Sequence, residues 1–244
     1  MRALSSLELL DVWEQGKEQR PARRARLLLA AACPDVPPAA LAGLTPGQQD
    51  GQLLTLREST FGPHLACLAT CPGCGERLEL GFSTGDIRAK PERERPEELA
   101  LSVAGHEVRL RLPTGADLEA IGGAGEVGAV RFALLERCLL GASHNGEARG
   151  AGQLPESVLE AIGERMAEAD PQANVDLALS CPTCGHTWRV ALDIGSFFWS
   201  EIEAWAMRTV REVHMLASAY GWSEADILAL PPWRRQAYLE MVGA

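Results

Sequence analysis

Cys71-Pro-Gly-Cys74-Gly and Cys181-Pro-Thr-Cys184-Gly are two copies of one short motif, 110 positions apart. A turn with two cysteines separated by two residues can direct both sulfurs to one centre. The glycine that follows can adopt the left-handed conformation that turns backbone N–H groups toward thiolates. Apolar and polar residues alternate after each motif, as in a strand with one buried face. The two motifs therefore predict the two halves of a zinc ribbon.

The predicted metal site is one structural Zn²⁺ ion bound by Cys71, Cys74, Cys181 and Cys184. A single Cys-x-x-Cys motif would fit a redox pair as well, and two motifs would also fit two independent disulfides. The presence of two such motifs, each followed by a predicted strand, favours a shared zinc site. Four thiolates leave no coordination position for water or substrate, so we expect the ion to support folding and not catalysis.

Three further cysteines and one histidine bear on this prediction. Cys33, Cys67 and Cys138 have apolar neighbours and are expected to be buried, with Cys67 as the one alternative ligand. His186 lies two positions after Cys184. With four thiolates available, we expect it to be a strand residue or a support for the ligands.

The charge balance limits the function of such a ribbon. The chain has 244 residues, 46% of them hydrophobic, which is enough for a substantial core. Its net charge is −10, whereas nucleic-acid binding depends on basic side chains at phosphates. The arginines at 20, 23, 24 and 26 and the pair Arg234-Arg235 could still form local patches. A zinc-ribbon regulator that binds nucleic acid is therefore the alternative hypothesis and not the first.

The sequence also predicts a location. The first residues lack the continuous apolar region of a signal peptide, and no stretch is apolar over the roughly 18 residues that a membrane span needs. Seven cysteines, an odd number, fit a reducing compartment better than a disulfide scaffold. We therefore expect a cytoplasmic protein.

The fold class predicted is α+β, with helical N- and C-terminal parts around the zinc ribbon and a long inserted subdomain. Capping boxes at Ser5 with Glu8 and at Thr45 with Gln48 predict two N-terminal helices, and an arginine-rich helix is expected between them from about Pro21 to Ala32. The predicted segments are the N-terminal helices (1–62), the first ribbon half (63–86), the insert (87–174), the second ribbon half (175–195) and the C-terminal helices (196–244).

The 106 residues between Cys74 and Cys181 are too many for a ribbon loop and must have structure of their own. A charged linker at 90–98 should precede a hairpin of strands 99–103 and 107–112. Helices are expected from Thr114, over about 127–140 and over about 155–169. A G-x-G-x-x-G pattern at Gly123–Gly128 lacks the preceding strand of a dinucleotide site, so we interpret it as a loop. In the second ribbon half the alternation Trp188, Val190, Leu192, Ile194 predicts a strand.

The C-terminal region holds nine of the thirteen aromatic residues, counted from Trp188 onward. Apolar residues at helical spacing from Phe197 to Leu216 predict one long helix, and most of these aromatics should form core. A final helix begins at Pro231-Pro232. The candidate protein-interface residues are aromatic and arginine side chains near this end: Trp222, Trp233, Arg234, Arg235 and Tyr238.

Catalytic motifs are missing from the sequence. The five histidines show no H-E-x-x-H spacing, and there is no G-x-S-x-G elbow, no phosphate loop and no H-x-E partner for a deaminase-type zinc. We therefore predict no catalytic residues, no cofactor-binding residues, no small-molecule substrate and no enzyme activity.

Several segments together resemble one protein family. They are Thr45-Pro-Gly-Gln-Gln-Asp50 with the leucine-rich stretch to Gly62, the doubled cysteine motifs, Leu112-Pro-Thr-Gly-Ala-Asp117, and the region from His214 through Tyr220-Gly-Trp222 to Arg234-Arg235-Gln-Ala-Tyr238. The chain resembles the baseplate proteins of contractile phage tails and phage-tail-like contractile injection systems, a group similar to the small hub and assembly proteins of T-even phages.

That resemblance implies a non-catalytic structural component of a baseplate, or an assembly chaperone that acts transiently. Its partners would be other baseplate, hub, tube or sheath proteins. It would be cytoplasmic during assembly and then either stay in the finished particle or leave it. The resemblance names no active site.

Overall fold

The computed structural model describes residues 1–89, 96–122 and 126–243. The chain forms two compact units: a helical unit, Met1–Asp35 with Ile194–Ala244, and a ribbon unit, Val36–Asp193. Helices and small sheets are both present, which confirms the predicted α+β class.

The helices are numbered along the chain. They are α1 (Ser6–Gly16), α2 (Pro21–Ala32), α3 (Pro38–Ala42), α4 (Pro46–Phe61), α5 (Thr84–Ile87), α6 (Gly115–Ile121), α7 (Val127–Cys138), α8 (Glu156–Ala169), α9 (Ile194–Tyr220), α10 (Glu224–Ala229) and α11 (Pro232–Val242). Short 3₁₀ turns lie at Ala151–Gln153 and Pro171–Ala173.

The strands form three antiparallel sheets. They are β1 (His64–Thr70), β2 (Arg77–Ser83), β3 (Leu99–Val103), β4 (His106–Leu110), β5 (Leu139–His144), β6 (Glu147–Ala148), β7 (Asp176–Ser180) and β8 (Thr187–Ala191). Strands β1 and β2 pair as one hairpin, β7 and β8 as another, and β3-β4-β5-β6 form a four-stranded sheet.

In the helical unit, α1 and α2 pack against the long helix α9, and α10 and α11 pack on α9 as well. The interior is built from apolar residues at helical spacing, among them Leu9, Leu28, Phe198, Ile202 and Leu216, each at most 2% exposed. Trp199 lies against the end of α1, because Gly16 leaves room for its ring. Most of the predicted apolar face of α9 is therefore core, with the exception of Val210, which is 44% exposed.

In the ribbon unit, one face of the four-stranded sheet packs against α7 and α8. Leu99, Val108 and Leu110 from the strands meet Leu135 and Val158 from the helices in one apolar cluster. The alternating burial of β4, in which every second residue is buried, produces this face.

The predicted capping boxes are confirmed. Ser5 with Glu8 caps α1 and Thr45 with Gln48 caps α4, and a third box that was not predicted, Thr114 with Asp117, caps α6. In each box the hydroxyl accepts the N–H three residues later, and the later side chain accepts the N–H of the capping residue. The proposed bounds of α2 and α8 are also close to those observed.

Three predicted elements differ from the structure. The helix expected to reach Leu140 ends at Cys138, because Leu139 is extended and β5 then pairs with β4 through Val108 and Ala142. The strand expected to include Ile194 ends at Ala191, and Ile194 instead begins α9 as a buried residue. The strand predicted over 107–112 is observed at His106–Leu110.

Two sequence features fall wholly or partly outside the described residues. These are positions 90–95 of the charged linker and Gly123 to Gly125 of the glycine-rich pattern. Within the ranges that the structure describes, no helix combines the length and the apolar character that crossing a membrane requires.

Candidate metal centre

Each cysteine motif forms the tip of a hairpin. Cys71 to Glu76 connect β1 to β2, and Cys181 to His186 connect β7 to β8. The two tips have the same backbone hydrogen bonds: the N–H of each first cysteine donates to the carbonyl five residues later, and the N–H of Gly75 or Gly185 donates back to that cysteine. Gly75 and Gly185 have φ angles of +77° and +72°. The predicted need for glycine at these positions is confirmed.

The two tips bring their four thiols together. The Sγ atoms of Cys71 and Cys184 are 3.7 Å apart, and those of Cys74 and Cys181 are also 3.7 Å apart. All four sulfur atoms lie within 4.8 Å of one another. Each close pair joins one sulfur from each hairpin, so the cluster links β1-β2 to β7-β8.

These separations fit a tetrahedral metal site. Four sulfurs placed about 2.3 Å from a central Zn²⁺ are about 3.8 Å apart, which matches the observed pairs. A disulfide would need sulfurs about 2.05 Å apart, so the cysteines here are four free thiols. The residues present therefore suit one four-coordinate thiolate-bound ion.

Backbone N–H groups surround the sulfurs. The N–H of Gly73 donates to Cys71 Sγ at 3.4 Å, and backbone hydrogen bonds from Glu76 and His186 reach Cys74 and Cys184. The pKa of the Cys181 thiol is lowered to about 7, chiefly by a backbone hydrogen bond from Cys184, with burial opposing it. At Cys74 and Cys184 the backbone hydrogen bonds also lower the pKa, but burial and the neighbouring thiols outweigh them and the pKa of each is raised. Donors of this kind favour the thiolate, which is the form that binds metal.

The cluster is half enclosed by protein. Cys71 and Cys181 are buried with Leu78, and Leu80 and Trp188 pack against them. Cys74 and Cys184 are exposed. A Cβ atom on Gly73 would lie 3.2 Å from the imidazole of His186, which stacks in turn on Trp188. His186 thus packs across both tips, as a support and not as a member of the sulfur cluster.

The other cysteines lie elsewhere. Cys33 and Cys138 are buried, as predicted, and burial raises the pKa of Cys138 to about 11. Cys67, on β1, is partly exposed and outside the cluster. Within residues 1–89, 96–122 and 126–243, the four cysteines are the one group of three or more His, Cys, Asp or Glu side chains placed to hold a metal ion.

The candidate interface residues occupy three different environments. Trp222 and Tyr238 are partly buried and pack edge to face, with ring centroids 4.9 Å apart, and Tyr220 stacks on Trp222. Trp233 is 71% exposed at the start of α11, and the exposed Arg234 lies beside its ring. Arg235 is only 4% exposed and its Nε donates to Glu212 at 2.8 Å.

One charged centre was not identified from the sequence. The carboxylate of Asp117, whose side chain is 4% exposed, accepts two hydrogen bonds from Arg111 and one from Arg137. The Arg111 guanidinium, with further hydrogen bonds from Thr114, holds the pKa of Asp117 well below its usual range. The sequence predicted a helix from Thr114, but nothing local indicated the capping role of Asp117 or its two arginine partners.

Comparison with known proteins gives one match. A family model described as T4 bacteriophage base plate protein matches residues 16–199, which is more than half of the chain. No curated protein and no solved structure gives a significant match. The matched range includes both hairpin tips and therefore all four clustered cysteines.

Proposed function

The chain belongs to the T4 bacteriophage base plate protein family, and from this premise we propose that it is a non-catalytic structural or assembly component of the baseplate of a contractile phage tail-like injection system. We further propose that one structural Zn²⁺ ion, bound by Cys71, Cys74, Cys181 and Cys184, stabilises it. Its partners would be other baseplate, hub, tube or sheath proteins. Assembly would take place in the cytoplasm of the host cell.

The observation that carries the zinc proposal is the convergence of four thiols from two hairpins far apart in sequence. Zinc would supply a strong, geometrically defined link between them. Two-stranded hairpins are only marginally stable alone, and few buried apolar residues hold these two tips together. A metal link is therefore the natural source of their stability.

The same geometry supports a structural and not a catalytic ion. The four sulfurs occupy the four tetrahedral positions, so a bound zinc ion would have no position for a water nucleophile or a substrate carbonyl. The surroundings agree with this, since the buried side of the cluster is lined by the apolar side chains of Leu78, Leu80 and Trp188.

A docking role for the end of the helical unit is supported by the exposure of Trp233 and Arg234. Tryptophan and arginine are the residue types most often found at the energetic centre of protein interfaces. In this proposal Trp222 and Tyr238 support the docking site from beneath through their ring contacts. Arg235, because it is buried against Glu212, would position α11 and not contact a partner.

The proposal is tested by purifying phage tail-like particles and their assembly intermediates from cells that express an affinity-tagged chain. We expect baseplate, hub, tube or sheath proteins to co-purify in fixed stoichiometry. A chain with Trp233→Ala and Arg234→Ala should fold normally and be recovered in reduced amount. If the tagged chain instead binds DNA or RNA with a steep dependence on salt and brings down no tail protein, the regulator hypothesis is correct and this one is wrong.

A further inference from the structure

The outer face of α9 carries an unusual set of side chains between residues 207 and 215. Six of these nine residues are exposed, and three of the six are large and apolar: Met207, Val210 and Met215, at 43%, 44% and 42% exposure. The other three are Arg208, Arg211 and His214. The exposed set follows the i, i+3, i+4, i+7 spacing of one helix face, which we call the α9 outer face.

This face is not needed to fold the helix. The inward side of the same stretch is provided by Thr209, which is 1% exposed, and continues to the fully buried Leu216. An ordinary surface helix has a polar outer side, and single exposed apolar residues need no explanation. Three large apolar side chains within two and a half turns, interleaved with cations, form a patch typical of an interaction surface.

The two arginines of the α9 outer face pair with no acidic residue that the structure describes. The whole chain has 33 acidic and 23 basic side chains, so acidic partners are abundant. Many arginines accordingly form ion pairs, including Arg2, Arg88 and Arg165. Arg208 and Arg211 form no ion pair and no side-chain hydrogen bond with any residue that the structure describes.

The one acidic residue on this part of the helix is already paired. Glu212 is the only Asp or Glu between residues 204 and 219, and its carboxylate accepts a hydrogen bond from Arg235 on α11. Its side chain is 29% exposed at the edge of the face, four residues after Arg208, and Arg235 is buried against it. The outer face is therefore cationic and apolar on a chain whose net charge is −10.

We propose that the α9 outer face binds an acidic, apolar-bearing segment of another baseplate protein, a proposal that rests on the proposed function. Arg208 and Arg211 would pair with carboxylates of that segment, and arginine binds carboxylates in a bidentate geometry. Met207 and Met215 would accommodate its apolar side chains, since methionine adapts readily to the shape of a partner.

Charge argues against a second copy of the chain as the occupant. A symmetric dimer through this face would place Arg208 and Arg211 of one chain opposite the same residues of its partner, and like charges across an interface are unfavourable. Charge complementarity selects an acidic partner instead.

The test places the photoreactive amino acid p-benzoylphenylalanine at Met207 in the full-length chain, in cells that assemble the particle. Irradiation should give an adduct in which the linked peptide, identified by mass spectrometry, belongs to another tail protein and contains both acidic and apolar residues. The double variant Arg208→Glu/Arg211→Glu should reduce the adduct by about tenfold, because two attractive charge contacts become repulsive. Far-UV circular dichroism and the melting temperature should be unchanged.

Matched controls make the result specific. The probe at Leu68, which is 60% exposed on β1 of the ribbon unit, should not give the same adduct. The charge reversal Arg189→Glu, on the exposed side of β8, should leave the Met207 adduct unchanged. An adduct at Met207 with this chain itself or with lipid, binding of the chain to phosphatidylglycerol vesicles through Arg208 and Arg211, or full adduct yield after charge reversal would each overturn the proposal.

This test separates the proposal from the function on which it rests. If the chain is present in particles or intermediates but the Met207 adduct is missing or insensitive to charge reversal, the α9 proposal alone is wrong. If the wild-type chain is absent from both, the proposed function fails and the α9 proposal with it.

Discussion

Cys71 Sγ and Cys184 Sγ lie 3.7 Å apart, although 113 positions separate the two residues in the sequence. This contact closes a long loop, and closing it costs conformational entropy that grows with the loop length. Few apolar residues are buried at the two tips, so packing alone offsets little of that cost. If the four cysteines bind zinc as proposed, the ribbon should depend on that ion for its stability.

The first prediction follows from this dependence. Cys181→Ser should abolish stoichiometric zinc binding and unfold the ribbon, because a structural zinc site contributes about 10–16 kcal/mol in small zinc domains, as much as the total stability of many proteins. Metal content by inductively coupled plasma mass spectrometry and thermal melting with and without chelator measure the effect. Cys67→Ser, a cysteine on β1 outside the cluster, is the matched control and should retain one equivalent of zinc. An unchanged melting temperature for Cys181→Ser would contradict the structural role.

The second prediction concerns Asp117, which joins the start of α6 to Arg111 and Arg137. Asp117→Asn should cost about 1 to 3 kcal/mol, because it removes the charge of a buried carboxylate whose two arginine partners are 34% and 45% exposed. Since the pKa of Asp117 is lowered on folding, its contribution is present above about pH 4 and is lost as the pH falls below that value. Urea unfolding at pH 7 and pH 3 gives the free energy of unfolding of the wild type and of the variant. The difference between the two should be smaller at pH 3 than at pH 7.

Asp86 provides the comparison for Asp117. It occupies the same position in the capping box of α5, where it accepts from Ser83, but no arginine among the described residues pairs with it. Asp86→Asn should therefore have little effect, since the amide oxygen of asparagine can still accept the N–H of Ser83. If Asp117→Asn and Asp86→Asn lower the free energy of unfolding by the same amount, Arg111 and Arg137 contribute nothing to stability beyond the capping box.

The third prediction is a stabilising change. Burial, and then the nearby carboxylates of Asp193 and Asp170, raise the pKa of Asp50 to about 7. The folded state thus holds a proton that the unfolded chain releases near pH 4, so stability falls as the pH rises from about 4 to 7. Asp50→Asn should add about 2 kcal/mol at pH 8 and almost nothing at pH 4. Thermal melting across this range measures it, with Asp11→Asn, an exposed position on α1, as the control. If Asp50→Asn changed the melting temperature equally at pH 4 and pH 8, the titration of the Asp50 carboxylate would not be the cause of the stabilisation.

The fourth prediction compares two helical glycines. A Cβ atom on Gly16 would lie 2.2 Å from the Trp199 ring, which is also held by the Arg24 guanidinium 4.6 Å from its centroid. Gly16→Ala should therefore destabilise the protein by about 1–3 kcal/mol through overpacking. Gly51, inside α4, has no atom within 4 Å of such a Cβ, so Gly51→Ala should stabilise by about 0.5–1 kcal/mol. Chemical denaturation of the two variants should give opposite signs, and stabilisation by Gly16→Ala would mean that Trp199 can move.

Local signals explain which parts of the structure the sequence could predict. The cysteine spacing identified both tips and the residues of the sulfur cluster, because each turn is defined by a few adjacent residues. Capping boxes gave the starts of α1 and α4 for the same reason. Strand β5 was missed, since Leu139 to His144 is extended only because β4 supplies its hydrogen-bond partners.

Contacts between residues that are distant in the sequence could not be predicted from it either. Nothing near Arg235 in the sequence distinguishes it from Arg234, yet one is buried against Glu212 and the other is exposed. The same pairing leaves the α9 outer face without an unpaired acidic residue, so its cationic character also became visible only in three dimensions. Arg234 and Arg235 were both predicted at an interface. Because Arg235 is buried, we assign it to positioning α11, and only Arg234 is left to contact a partner.

The fifth prediction tests that assignment. Arg235→Ala should destabilise the helical unit by about 3 kcal/mol, because it leaves the half-buried Glu212 carboxylate without its cation. Arg234→Ala should change stability by less than about 0.5 kcal/mol, as expected for an exposed side chain with no ion pair. A double-mutant cycle with Glu212→Ala isolates the pair, since the double variant should be more stable than the sum of the single losses implies. If Arg234→Ala proves as destabilising as Arg235→Ala, or if the cycle shows no coupling, Arg235 does not fix α11 to α9 and the distinction between the two arginines is wrong.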